Sequence, residues 1–198
     1  MTFRSARWMI IPVAAVSLSA CGINSVPTKE EAAKAKWANV EAAYQRRADL
    51  IPNLVETAKG AAQIEQSTLE GVIQARASAT QVKLSTDDLD DPAKVQAFQQ
   101  AQGQVTSTLS RLLATVESYP TLASQQRFAD LMTQLEGTEN RINVSVQDYN
   151  GAVQDYNTTI RTFPDIIGAK IVHGAKPMTP YKAITPNANQ ATKVDFGS

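Results

Sequence analysis

Apolar side chains recur every three or four residues along most of this chain, the spacing of one face of an α-helix. From Thr28 that pattern carries Trp37, Val40 and Tyr44. Thr28 followed by Glu31 has the form of a capping box, in which each side chain satisfies the other's free backbone N–H. Pro52 interrupts the pattern, because it lacks an N–H and crowds the preceding turn. Two readings follow: a helix ends near Leu50 and a second starts at Pro52 with Asp49 as N-cap, or one helix kinks there. The break is preferred. A second helix then runs to about Val82, with Ile51, Val55, Ala58, Ala62, Leu69 and Val72 on one stripe, and residues 83–91 form an acidic loop. Asp91-Pro92 supplies an N-cap followed by proline at the first helical position. The third helix has the clearest heptad: Val95, Phe98, Gln102, Val105, Leu109, Leu112, Val116 and Tyr119, with Pro120 ending it. The fourth and longest runs from about Leu122 to Arg161, with Phe128, Leu131, Leu135, Ile142, Tyr149, Tyr156 and Phe163 on its seam. Such seams pack as a left-handed, nearly antiparallel bundle. The predicted fold is all-α: an antiparallel, up-and-down four-helix bundle over residues 29–163. Residues 164–198, with Pro177, Pro180 and Pro186, are expected as an extended tail whose apolar foothold is Val194-Asp195-Phe196.

The first twenty residues have the three parts of an export signal. Arg4 and Arg7 form a positive start, Trp8 to Ser17 an apolar core, and Ser19 and Ala20 a small-residue site before Cys21. The apolar run falls short of the about 20 residues that span a bilayer. A small-residue site ending in cysteine resembles the lipobox of bacterial lipoproteins, so residues 1–20 read as a leader, Cys21 as the lipidated terminus and residues 21–28 as a tether. The bland alternatives are an ordinary cleaved leader or an uncleaved anchor. Because Gly22 rather than aspartate follows the cysteine, the resemblance favours the outer membrane over the inner membrane of a Gram-negative envelope, on the periplasmic side.

Composition then narrows the function classes. Two of the 19 basic residues lie in the leader, so 17 remain against 19 acidic ones, a net charge of −2. Nucleic acid would want a clustered basic face, and none is present. Cys21 is the only cysteine and His173 the only histidine. With Cys21 acylated no disulfide can form, so stability must come from packing. A di-iron bundle needs Glu-x-x-His on two helices, and zinc needs Cys/His sets, so neither can be built, and no phosphate- or dinucleotide-binding glycine pattern occurs. The expectation is no enzyme activity, no catalytic residues, no metal and no cofactor.

What remains is a set of polar residues at or near seam positions. Arg47, Asn53, Glu65, Arg76, Glu139 and Arg141 suggest a polar layer joining the Arg46-Arg47-Ala48-Asp49-Leu50-Ile51-Pro52-Asn53 segment to Glu139-Asn140-Arg141. Glu65 and Arg76 fall where the stripe expects apolar residues, so if buried they should pair across helices. The fourth helix also repeats itself: Gln147-Asp148-Tyr149-Asn150, then Gln154-Asp155-Tyr156-Asn157. Seven-residue spacing puts both tyrosines on one face with both asparagines beside them. Each set serves either to order helix packing or as a groove for a partner or ligand.

These same segments, with Ala75-Arg76-Ala77, Tyr119-Pro120, Glu139-Asn140-Arg141-Ile142, the two Tyr-Asn pairs and Phe163-Pro164, resemble the LemA family. The resemblance covers about Trp37 to Phe163 and implies an envelope protein with an all-helical four-helix bundle and no established enzymatic activity. Many members carry an N-terminal membrane helix where this chain has the lipobox, and Asn143-Val144-Ser145-Val146 lacks the basic residues that often follow the Glu-Asn-Arg-Ile motif. The expected function is a membrane-anchored, non-enzymatic scaffold with an envelope protein as partner. The alternative is a carrier or sensor that takes a small apolar or peptide ligand between helices.

Overall fold

The computed structural model describes residues 3–60, 64–119 and 125–182. Among them the chain is helical, with no strand. The four long helices are α1 (Phe3–Lys59), α2 (Gln66–Gln81), α3 (Pro92–Glu117) and α4 (Gln126–Thr159). A short α5 (Asp165–Gly168) runs into a π-helical turn, Ala169–His173. The strongest pairings are α1 with α4 and α2 with α3. The ion pairs Lys29–Asp155, Lys36–Asp148 and Arg47–Glu139 descend α4 as they ascend α1, so that pair is antiparallel. No helix among the described residues is long and apolar enough to cross a membrane.

Pro52 does not break the first helix; α1 passes through it and ends at Lys59. A proline inside a helix leaves the carbonyl four residues earlier without its N–H, at a cost of about 3 kcal/mol or more. That carbonyl belongs to Ala48, and Arg76 Nε on α2 donates to it at 2.6 Å. Burial of Ile51, Leu54 and Val55 on either side of the proline adds the packing that favours continuity. The next helix, α2, begins at Gln66, and of the expected second stripe Ala62 lies outside the described residues.

The start of the bundle also differs from expectation. Residues 22–28 are a continuation of α1 rather than a tether, and Val26 is fully buried. Thr28 makes no capping box; its hydroxyl donates to the Asn24 carbonyl one turn back, at 2.7 Å. In the 83–91 loop a 3-10 turn, Thr86–Asp88, is capped by Ser85, and Leu84 and Leu89 are buried beneath it. Lys94 reaches Asp88, whose carboxyl it holds down at about 2 with help from Ser85. Asp91 caps α3 as the sequence predicts, accepting from Ala93 N at 2.9 Å and Lys94 N at 3.3 Å.

Every heptad residue of α3 from Val95 to Val116 is buried, as is the α4 seam from Phe128 to Tyr156. Phe163 is not: it is 73% exposed, because α4 has ended at Thr159 and Pro164 follows. The interior forms two clusters. One, around Trp37, Tyr44, Phe98, Tyr149 and Tyr156, lies toward the N-terminal side of α1. The other, around Leu54, Val72, Leu109, Leu112 and Leu135, fills the far end with mainly aliphatic side chains and Phe128.

The chain after Pro164 does not extend away. Residues 165–173 turn against α1, where Ser25 Oγ donates to Asp165 Oδ1 at 2.5 Å. Residues 175–182 then fold back along α4 as a strap with Met178 and Tyr181 buried. These two are its foothold; Val194-Asp195-Phe196 lies outside the described residues.

Candidate functional site

The two clusters are separated by a charged layer centred on Arg47. This side chain is 2% exposed. Nη1 donates to Glu139 Oε1 and to Thr106 Oγ1, each at 2.9 Å. Nη2 donates to Gln102 Oε1 at 2.7 Å and to the Gln102 carbonyl at 3.2 Å. Arg47 falls between Tyr44 and Leu50 on α1, Gln102 between Phe98 and Val105 on α3, and Glu139 between Leu135 and Ile142 on α4. Each helix therefore interrupts its apolar seam at the same level. A buried guanidinium left unpaired would cost several kcal/mol, so one arginine enforces this register on three helices. The Arg47 carbon also lies 5.0 Å from the centre of the Tyr44 ring, a cation–π contact.

The second constellation is a ladder on α4. Asn150 Nδ2 donates to the Tyr181 carbonyl and its Oδ1 accepts from Tyr181 N, both at 2.8 Å. One heptad later Asn157 treats Met178 the same way, at 2.8 and 2.9 Å. Tyr149 donates to the Thr179 carbonyl at 2.9 Å, and Tyr156 to the Lys176 carbonyl at 3.0 Å. A shift of seven residues on the helix thus equals a shift of three on the strap. The geometry accounts for this: seven helical residues rise about 10.5 Å, and three nearly extended residues span about 10 Å. The strap carries the matching repeat, Lys176-Pro177-Met178 then Thr179-Pro180-Tyr181. Proline sits where no N–H is called for, and the apolar residue after it is both clamped by asparagine and buried.

The layer and the ladder are connected. Tyr181 and Tyr44 share a hydrogen bond at 2.6 Å, and Tyr44 in turn stacks on Arg47. Trp37 donates to the Leu84 carbonyl at 3.1 Å and packs edge-on to Phe98 and Tyr149. Burial pushes the phenols of Tyr44, Tyr149, Tyr156 and Tyr181 above their ordinary range. They are neutral hydrogen-bonding groups at any physiological pH. Glu41 at the edge of the same region is also raised, again by burial first.

Of the residues singled out in the sequence, Arg47 and Glu139 come together in the layer, and Tyr149, Asn150, Tyr156 and Asn157 form the ladder. Arg76 lies one turn of α1 away on the Ala48 carbonyl; its partner is that backbone oxygen rather than an acid. Asn53, Glu65 and Arg141 are exposed and take no part. Glu65 stands at the N-cap position of α2, outside any apolar stripe, where its backbone carbonyl accepts from Thr68 N at 3.0 Å. The residues the sequence reading missed are Gln102, read as a heptad core position, Thr106, Tyr44 and the strap. The strap's x-Pro-apolar repeat was the available signal. Cys21 lies within the span of α1. Among the described residues no group of three or more His, Cys, Asp or Glu side chains is arranged to hold a metal.

The elements that meet here are the segments carrying the sequence motifs, and the LemA family profile matches residues 36–196, from the residue before Trp37 past the strap. The chain belongs to the LemA family. Among curated relatives it is similar to magnetosome protein MamQ 2 of Paramagnetospirillum magneticum, 32% identical over 157 residues, covering 71% of this chain and 58% of the relative. Magnetosome protein MamQ 1 of that organism gives the same figures, and MamQ of Magnetospirillum gryphiswaldense is 29% identical over the same length. The chain thus spans less than two thirds of the length of these relatives. Within the family-matched region lie both the Arg47 layer and the ladder, so both belong to the LemA body of this chain.

Proposed function

We propose that this chain is a lipid-anchored, non-enzymatic scaffold of the bacterial envelope, held by Cys21 and presenting a rigid four-helix bundle to a protein partner. The support is in how its polar groups are used. Arg47, Asn150 and Asn157 spend their hydrogen bonds on the protein's own backbone and side chains, which stiffens the body and leaves its outer faces for contacts. The leader supports the anchor, because Cys21 stands four residues before Ser25, where α1 becomes integral to the body. Relatives named as magnetosome proteins agree with a role in a cellular assembly. In a Gram-negative envelope, Gly22 favours the outer membrane over the inner.

Crosslinking the full-length protein in its native cells, with Cys21→Ala as control, tests this. A stoichiometric envelope protein that is captured with the anchored form and lost with Cys21→Ala is the expected result. Capture of nothing, or equal capture with and without the anchor, overturns the scaffold.

One observation favours the second reading, an envelope carrier or sensor. A cavity of about 360 Å³ opens between α1, α2 and α3, lined by Tyr44, Ile51, Ala79, Phe98 and Val105 with Arg76 and Glu41 at its polar side. That is the lower end of the size range of small-molecule sites. A ligand retained by the purified protein in native mass spectrometry, and lost on Ala79→Phe, would establish the carrier.

A further inference from the structure

Six large apolar side chains are exposed among the described residues, and four of them fall within ten consecutive positions. Phe163 is 73% exposed, Ile167 48%, Ile171 80% and Val172 57%. The other two, Ile73 and Val144, stand alone on α2 and α4. Scattered apolar residues are ordinary on a protein surface, but a contiguous group marks a contact. Ile167 and Ile171 are four residues apart on α5 and the turn that follows it, so they share a side of that segment.

The position of this group in the molecule says what it meets. Residues 165–173 pack on the N-terminal part of α1, through the bond from Ser25 to Asp165. Four helical residues, about 6 Å of rise, separate Ser25 from Cys21. The apolar group is therefore beside the point from which the leader departs, at one end of the bundle. Its charged neighbours suit an anionic surface: Arg161 and Lys170 are exposed, while the one acid of the segment, Asp165, is engaged by the Ser25 hydroxyl.

We propose that Phe163, Ile167, Ile171 and Val172 form a membrane-contact face that inserts into the headgroup region of the bilayer holding the anchor. It makes a second attachment and fixes the tilt of the bundle over the membrane. An apolar face with basic flanks lies in the interface rather than spanning it, and pairs with a lipid anchor as a second membrane signal. This rests on the anchoring reading of Cys21.

The test uses full-length, lipidated protein in vesicles of phosphatidylethanolamine and phosphatidylglycerol. Ile171→Cys and, separately, Val144→Cys carry a solvent-sensitive fluorophore, Cys21 being blocked by its lipid. Both sites are exposed, so neither label disturbs the core. The expected result is a blue shift of the Ile171→Cys probe and several-fold stronger quenching by spin-labelled lipid than at Val144→Cys. An Ile171→Cys probe that stays aqueous while the protein sediments with vesicles overturns the membrane face and leaves the anchor standing. A probe that shifts but ignores the lipid quencher also overturns it, in favour of a protein covering the group. Protein that fails to sediment with vesicles, or that takes up label at Cys21, overturns the anchoring reading itself.

Discussion

Between Val26 and Tyr44 the core-facing side of α1 meets a cluster that holds Phe98 and the hydroxyl-bearing rings of Tyr149, Tyr156 and Tyr181; from Leu50 to Ala58 it meets one that is aliphatic apart from Phe128 and the partly buried Tyr119. The difference decides what each half of the molecule can hold. Aliphatic groups recognise shape alone, and the far half is complete with helices packed on helices. Tyrosine and asparagine also recognise backbone, so the near half can take up a strap with no regular secondary structure. Hydroxyl and amide groups satisfy the strap's carbonyls and N–H groups, which would otherwise be costly to bury. The Arg47 layer stands between the halves and ties both to one helix register.

The largest substitution effects should test whether the halves are separable. Trp37→Ala removes the centre of the aromatic half and is expected to cost about 3–5 kcal/mol in urea unfolding followed by circular dichroism. Native-state hydrogen exchange should show α2 and the far end of α3 keeping protection at intermediate denaturant. Leu112→Ala should do the reverse, at about 3 kcal/mol. Equal loss of protection in both halves from either change would make the interior one cooperative unit.

The layer comes next. Arg47→Met should cost about 3 kcal/mol, the low end for a broken buried pair because Glu139 reaches solvent. Adding Glu139→Met should recover most of that. If the double variant is no better than the single, the charge pair is not what the layer contributes.

For the ladder, Asn157→Ala deprives Met178 of two hydrogen bonds and should cost about 2 kcal/mol. Cleavage between Gly174 and Lys182 by a dilute protease should rise with it, while the aliphatic half stays intact. Unchanged protection of that segment would assign the strap's docking to Met178 and Tyr181 packing alone. Arg76→Leu leaves the Ala48 carbonyl without a donor, with an expected loss of about 1 kcal/mol. Helicity should fall only around Pro52.

The smallest effect at neutral pH is the most selective. Tyr149 on the ladder and Tyr181 on the strap are held neutral in the fold, above the about 10 of an exposed phenol. Their contribution is fully present below pH 10 and is lost as pH rises through the raised values. Tyrosinate absorbance should therefore lag in the folded protein, and stability should fall on the alkaline side. Tyr181→Phe should flatten that fall, whereas a substitution in the aliphatic half should shift the curve without changing its slope.

Much of the fold is legible in the sequence. Each α3 heptad residue from Val95 to Val116 is buried, because alternating spacings of three and four admit one helical face and the Asp91-Pro92 start sets its phase. The α4 seam was legible to Tyr156 for the same reason. Pro52 misled because local chemistry argues for a break there, and the donor that offsets it, Arg76, is 28 residues from the Ala48 carbonyl it serves. Thr28 misled because a capping box and a hydroxyl bonded one turn back can share the same residues.

From its order of residues alone the chain determined helical periodicity, the places where helices could begin, and a Tyr-Asn repeat with both pairs on one face. All of these rest on spacing within one or two turns, so local geometry is enough. Only the tertiary structure decided that α1 continues through Pro52, that Arg47 rather than Glu65 or Arg141 is buried and paired, and that residues 175–182 lie along the ladder. Each of those depends on a partner from another helix or from the strap, and whether a polar group is satisfied is a property of where its partner sits, which no periodicity along one strand of sequence records.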